Sequence, residues 1–197
     1  MSAYSPAPSL TGEHVRLEQL TPAHEEDLRV ACADGELWKL WYTSVPEPSG
    51  SAGQISGHIA AQAAGERAPW AVVDTRSGRA IGVTTYLGLA PEHKRLEIGH
   101  TWYAGSAQGT LVNAEAKYLL LTRAFEELQV HRVEWRVHWF NHRSRAAVEK
   151  LGAKLDGVLR KHTILANGTV RDTCVYSLID DDWPTARFAL EHRLGLL

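Results

Sequence analysis

The sequence predicts an α/β (α+β) domain, with helices on both faces of a mixed, mostly antiparallel sheet of six to seven strands. Three observations carry this. Short runs alternate apolar with polar residues, as at Val15 and Leu17, the period of a half-buried strand. Leu111 to Leu128 has apolar residues over much of a helix surface (Val112, Ala116, Leu119, Leu120, Leu121, Ala124, Phe125), so that helix packs against a sheet. The order of elements, β-αα-βββ-α-β-α-ββ-α, then implies a mixed sheet covered on both sides.

Residues 1–9, rich in Ser, Pro and Ala, read as a mobile N-terminus ahead of one domain spanning 10–197. His14 to Leu20 is the first strand. Thr21-Pro22 starts a helix, with Thr as N-cap and Pro in the first turn, that runs to about Cys32. Glu36 to Tyr42 adds a turn or two, and Ser51 to Gly65 a longer helix ended by Gly. Trp70 to Val73 is a strand, Arg76-Ser77-Gly78-Arg79 a hairpin turn, and Ala80 to Leu89 and Lys94 to Tyr103 continue the sheet. After the long apolar helix, His131 to Val137 is a strand and Asn141 to Leu151 a helix closed by Gly152. Leu155 to Leu165, the turn Ala166-Asn167-Gly168-Thr169 and Val170 to Ile179 form a hairpin, and Trp183-Pro184 opens the last helix.

The chain has 197 residues, enough for one domain with a substantial core, and its 44% hydrophobic and 22% charged content is that of an ordinary globular protein. A formal net charge of −2, with no basic stripe, argues against a nucleic-acid or anionic-membrane partner. No apolar run approaches the roughly 18 residues that span a bilayer, and Met1 to Pro8 lacks the features of a secretory signal. Cys32 and Cys174 stand far apart, with no redox or metal-ligand spacing. A cytoplasmic protein with free thiols and no metal is the expectation.

Function begins to show between Leu96 and Arg160. The strand Leu96–Tyr103 runs into a Gly-bearing loop and then a helix. A helix start presents backbone N–H groups without intrahelical partners, which makes it a ready site for a phosphate-bearing ligand.

From about Leu10 to Trp183 the order and motifs resemble the GNAT acyl-CoA-dependent N-acetyltransferases, most closely the RimJ/RimL type, which acetylates protein N-termini. Asn141-His-Arg-Ser144 continues into Glu149-Lys-Leu-Gly152-Ala153 and Asp156-Gly157-Val158-Leu159-Arg160. This is similar to the pattern Asn-x-x-Ser … Glu-Lys-Leu-Gly-Phe/Ala … Glu-Gly-x-Leu-Arg of that type. Gly109 to Lys117 (Gly-Thr-Leu-Val-Asn-Ala-Glu-Ala-Lys) looks like a variant of its pyrophosphate loop. The resemblance implies a sheet that splays between its fourth and fifth strands, here 96–103 and 132–137, with acetyl-CoA in the gap as cosubstrate. It implies cofactor contacts at Trp102, Tyr103, Gln108, Gly109, Thr110, Leu111, Val112, Asn113, Asn141 and Ser144. Asn141 would bind the pantetheine arm and Ser144 would lie beside the sulfur as the acid of the reaction. From the residues alone, Asn141 reads equally as an N-cap and Ser144 as a first-turn helper. The chain departs from the family pattern at Ser106, Leu111 and Val148; the last stands where many members place a catalytic Tyr.

The implied chemistry removes a proton from an amine that attacks a thioester. A lysine amine has a pKa of about 10.4 and an α-amine one nearer 8, so an α-amine needs only a modest base. The resemblance makes Glu97 the candidate, on the strand where some members of the superfamily place a catalytic carboxylate; the structural alternative is that it faces solvent or pairs with Arg95 or Lys94. Trp38, Trp41 and Tyr42, at i, i+3 and i+4, form an aromatic face that either grips the acceptor or belongs to the core. Arg143 and Arg145 either reach the ribose phosphate or are solvated. The primary function expected is acetyl transfer to a primary amine, on a protein N-terminus or a small aminated molecule. A non-catalytic acyl-CoA-binding or interaction module is the alternative. The terminal hairpin and last helix offer surfaces for a homodimer.

Overall fold

The structure, a computed structural model, describes residues 2–43 and 45–197. Eight strands form one sheet: β1 (Leu10–Thr11), β2 (Val15–Gln19), β3 (Ala68–Asp74), β4 (Ala80–Ala90), β5 (Arg95–Tyr103), β6 (Arg132–His138), β7 (Lys154–Ile164) and β8 (Val170–Ile179). Their spatial order is β1-β2-β3-β4-β5-β6-β8-β7. The count exceeds the expected six to seven because the two-residue β1, too short to show a period, pairs antiparallel with β2.

Every neighbouring pair is antiparallel except β5 and β6, which run parallel from Arg95↔Arg132 to Glu97↔Glu134. Past Glu97 they share no pairing. The cause lies in β5, where the ladder to β4 passes from Thr85↔Gly99 to Val83↔Trp102, inserting an extra residue. His100 sits there at φ 47°, a left-handed backbone that a non-glycine residue adopts only where its surroundings enforce it. The bulge bends β5 and opens the sheet.

Helices α1 (Glu25–Ala33) and α2 (Ser51–Ala63) cover one face, burying Leu28, Cys32 and Ile55 against Val73, Val83 and Trp102. On the other face lie α3 (Val112–Thr122), α4 (His142–Glu149) and α5 (Trp183–Leu194), whose Ala116, Leu120, Leu121, Val148 and Leu190 pack on Leu96, Ile98, Val133 and Tyr176. The stretch read as one helix to Leu128 changes pitch: Arg123–Glu127 is a π-helical turn, closed by the Leu128 N–H donating to the Arg123 carbonyl at 2.9 Å. Glu115 locks α3 to the sheet edge, its carboxylate accepting the N–H groups of Glu13, His14 and Val15 at 2.8, 2.7 and 2.7 Å. Among the described residues no helix is long and apolar enough to cross a membrane.

One expectation needs correction. Residues 2–9 are packed rather than mobile: Tyr4, Ser5 and Ala7 are buried, and the Trp70 indole donates to the Pro8 carbonyl at 2.8 Å. Polarity of composition hid this, because the segment is held through its backbone carbonyls. Glu36–Tyr42 forms the expected turn or two, a 3-10 turn at Leu37–Lys39 and a second turn closed by the Thr43 N–H on the Leu40 carbonyl at 3.0 Å, but no helix, since Gly35 and Glu36 both take left-handed backbone there. The i, i+3, i+4 face of Trp38, Trp41 and Tyr42 therefore never forms.

Candidate functional site

Where β5 and β6 part, a cleft of about 590 Å³ opens, walled by β5, the loop into α3, β6 and α4. One end of it lies at the start of α3. Gly109 has φ 79° and open space where a Cβ would stand, so backbone and solvent meet there without a side chain. Gln108, Gly109, Thr110 and Asn113 line the cleft, as do Arg143, Lys150 and Arg193. Gln108 is fixed by donation to the Tyr103 carbonyl at 3.0 Å, and Thr110 Oγ1 donates to the Ala107 carbonyl at 2.6 Å.

Leu111 and Val112 turn their side chains into the core and do not line the cleft, and the Val112 N–H donates to Thr110 Oγ1 at 3.3 Å. Ser106 is also outside it: its N–H donates to Asp34 Oδ2 at 3.0 Å, tying the loop to the end of α1.

In the middle of the cleft Trp102, Tyr103, Asn141 and Ser144 all contribute to the wall. Trp102 is held by donation to Gln54 Oε1 at 3.0 Å, and the buried Tyr103 hydroxyl has no partner among the described residues. Asn141 caps α4, its Oδ1 accepting the Ser144 N–H at 3.0 Å, which leaves the amide NH₂ for other work. Val148 is buried against the core at the same wall. Arg145 lies elsewhere, 4.4 Å from the centre of the Trp139 ring and donating to the Tyr176 hydroxyl at 3.1 Å; of these two arginines, Arg143 alone lines the cleft.

Glu97 stands at the vertex, the last β5 residue paired with β6. It does not line the cleft itself but lies beside Gly99, which does: a Cβ there would be 3.3 Å from Glu97 Oε1. Its partner is Arg136 Nε at 3.4 Å, not Arg95 or Lys94. Burial pushes its pKa from the usual 4.5 to about 7, outweighing the Arg136 charge that opposes the shift and adding to the repulsion of Glu134.

The aromatic group is redistributed. Tyr42 lines the cleft; Trp41 sits on its rim against Tyr42, His138 and Phe140, with ring centroids 5.4, 5.1 and 5.8 Å apart. Trp38 is outside, beneath the Lys39 ammonium. Leu37 and Leu40 take its expected place, because the 3-10 turn rotates them inward.

Sequence reasoning did not foresee that Lys117, His138 and Arg171 line the cleft. The Lys117 ammonium is buried under the cleft and donates to Thr84 and Thr101 at 3.2 and 3.0 Å, and burial pushes its pKa down to about 7. A lysine inside the apolar stripe of α3 was the available signal. No group of three or more His, Cys, Asp or Glu side chains gathers for a metal among the described residues.

Residues 14–154 match the family described as "Acetyltransferase (GNAT) domain". The chain belongs to the GNAT acetyltransferase family. Its sheet, open between β5 and β6, is the fold of that family. A crystal structure of a "putative acetyltransferase" from T. thermophilus is 36% identical, with a TM-score of 0.81 over 94% of this chain and 96% of that one. The "Putative ribosomal N-acetyltransferase YdaF" of Bacillus subtilis is 32% identical over 54% of this chain, an alignment that spans 57% of that relative. RimL, a ribosomal L7/L12 alpha-N-protein acetyltransferase solved in complex with coenzyme A, shares the fold at 18% identity and a TM-score of 0.74.

Proposed function

We propose that this GNAT domain is an acetyl-CoA-dependent N-acetyltransferase of the RimJ/RimL type, acting on a primary amine of a protein N-terminus or a small aminated molecule. One observation carries the reading: a single cleft runs from the helix start at Gly109–Asn113 to the vertex of the splay, where the Glu97 carboxylate, its pKa raised by burial, lies beside the cleft-lining Gly99. The coenzyme A bound to RimL and the acetyltransferase names of the relatives agree with it.

The residues fit the cosubstrate. The open backbone at Gly109 and the cations Arg143, Lys150 and Arg193 suit its phosphates, and the Asn141 amide suits the amides of its arm. Acetyl-CoA supplies the acetyl group as a thioester, open to direct attack by the amine. Glu97 takes the proton the amine gives up, directly or through water, and Ser144 Oγ returns a proton to the departing sulfur. A base with a pKa of about 7 is matched to an α-amine near 8 better than to a lysine amine. The reading includes a cytoplasmic location, supported by two buried free cysteines, Cys32 and Cys174.

The test is detection of free CoA thiol when the protein meets acetyl-CoA and a panel of amines. Release that depends on an amine is the expected outcome. Tight acetyl-CoA binding without release on any amine would favour a binding module instead.

A further inference from the structure

The sheet surface opposite α3, along β6 and β8, holds groups that acetyl transfer alone leaves unexplained. His138, Arg136 and Arg171 all line the cleft. The His138 ring is buried, and its Nδ1 accepts the Phe140 N–H at 3.1 Å, which puts the ring proton on Nε2. That Nε2 is buried, with no partner among the described residues. Burial and the nearby Arg171 guanidinium lower the His138 pKa, against the weaker pull of Asp172, so the ring stays neutral with one donor.

Arg171 is half-buried and donates only to oxygens that carry no charge: Thr173 Oγ1 and the Arg136 carbonyl, both at 2.9 Å. Among the described residues it forms no ion pair. The carboxylates around it are engaged elsewhere. Glu97 and Glu134 each lie 3.4 Å from Arg136, and Asp172 accepts from Arg160 Nε at 2.5 Å and the Lys161 N–H at 2.7 Å. A half-buried guanidinium with no ion pair, close to a buried ring donor with no acceptor, both among the described residues, is a pair of groups suited to an anion. Glu97 is near enough to act electrostatically on Arg171, so an anion held there would lie close to the candidate base.

We propose that the preferred acceptor is an amine that carries a carboxylate a few bonds away, received by Arg171 and His138 while the amine reaches Glu97. The inference rests on the acetyltransferase reading of the same cleft and names its substrate class. Two sources share this chemistry: a peptide whose first residues include Asp or Glu, and a small amino acid.

The experiment compares kcat/KM for matched acceptors, peptides with Asp or Glu against Asn or Gln at the second position, and amino acids against their amides. The acid member of at least one set should be preferred by about tenfold or more, the size of a charge-assisted hydrogen bond. The set that responds identifies the source. Arg171→Gln should bring that ratio toward one, and Arg171→Lys should restore part of it. Equal use of acid and amide by the wild-type protein in both sets overturns the inference and leaves acetyl transfer standing, a result independent of how the variants fold. Transfer to no amine at all, with acetyl-CoA bound by calorimetry, overturns both.

Discussion

Replacing Glu97 by glutamine removes a charge that the fold disfavours, and the consequence is calculable. In the unfolded chain Glu97 ionises near 4.5; in the folded chain burial holds its pKa at about 7. The folded state therefore binds the proton more tightly, and ionisation works against folding. Below 4.5 the residue is neutral in both states and makes no difference. Between 4.5 and 7 the wild-type protein loses stability as pH rises, and well above 7 the loss is complete, at about 3.5 kcal/mol for roughly 1.4 kcal/mol per unit of pKa. Between pH 5 and pH 8 the change is about 2.5 kcal/mol. Glutamine does not titrate, and Arg136 keeps Glu134 as a partner at 3.4 Å, so no charge is orphaned. Urea unfolding of wild-type and Glu97→Gln proteins at pH 5 and pH 8 measures the difference directly, with the other titrating groups cancelling. The variant should gain on the wild type by about 2 kcal/mol or more over that range. A stability difference that does not change with pH would show that Glu97 ionises at its ordinary value. The same pKa shapes the kinetics. The rate deficit of Glu97→Gln should be largest near pH 7–8, shrinking at lower pH as the wild-type base is protonated and at higher pH as the α-amine is already neutral.

Gly109→Val forces a β-branched residue into the left-handed backbone at φ 79°, at a cost of about 1–2 kcal/mol; calorimetry should show acetyl-CoA affinity reduced about tenfold or more in the folded variant. Unchanged affinity would remove the loop from the site. Asn141→Ala should lose about 1 kcal/mol of stability with the cap and also raise Kd for acetyl-CoA, whereas Ser144→Ala should lower kcat and kcat/KM together with Kd unaffected. Full turnover by Ser144→Ala would mean that the thiolate needs no side-chain acid. Glu115→Ala strips the acceptor from three backbone N–H groups, so unfolding should become easier by about 3 kcal/mol or more, and a loss under about 1 kcal/mol would mean that water replaces the carboxylate.

Most elements were legible because their signals are local. Val15 and Leu17 alternate as a strand, Gly152 at φ 90° ends α4, and Thr21-Pro22 opens the turn ahead of α1, with the Thr21 N–H bonded to His24 Nδ1 at 3.1 Å. The splay was legible only through the Asn141–Ser144 motif and its resemblance, since its physical cause, the bulge at His100, leaves no mark in the pattern of residues. The departures at Ser106 and Leu111 become intelligible once Asp34 is seen holding the Ser106 N–H and Leu111 is seen in the core. Trp38 misled for a definite reason: a helical wheel is informative only if the helix forms, and Gly35-Glu36 breaks it. His138 and Arg171 were invisible because their pairing across β6 and β8 is set by register (His138↔Thr173), a long-range fact.

The central claim is that acetyl-CoA occupies the cleft between β5 and β6. Hydrogen exchange of the backbone amides, with and without saturating acetyl-CoA, reads this directly along the chain. The account predicts new protection at residues 108–113, at 141–144 and along 98–103, with the α1 and α2 amides unchanged. Protection confined to other segments, or none at a concentration where calorimetry reports binding, would contradict it.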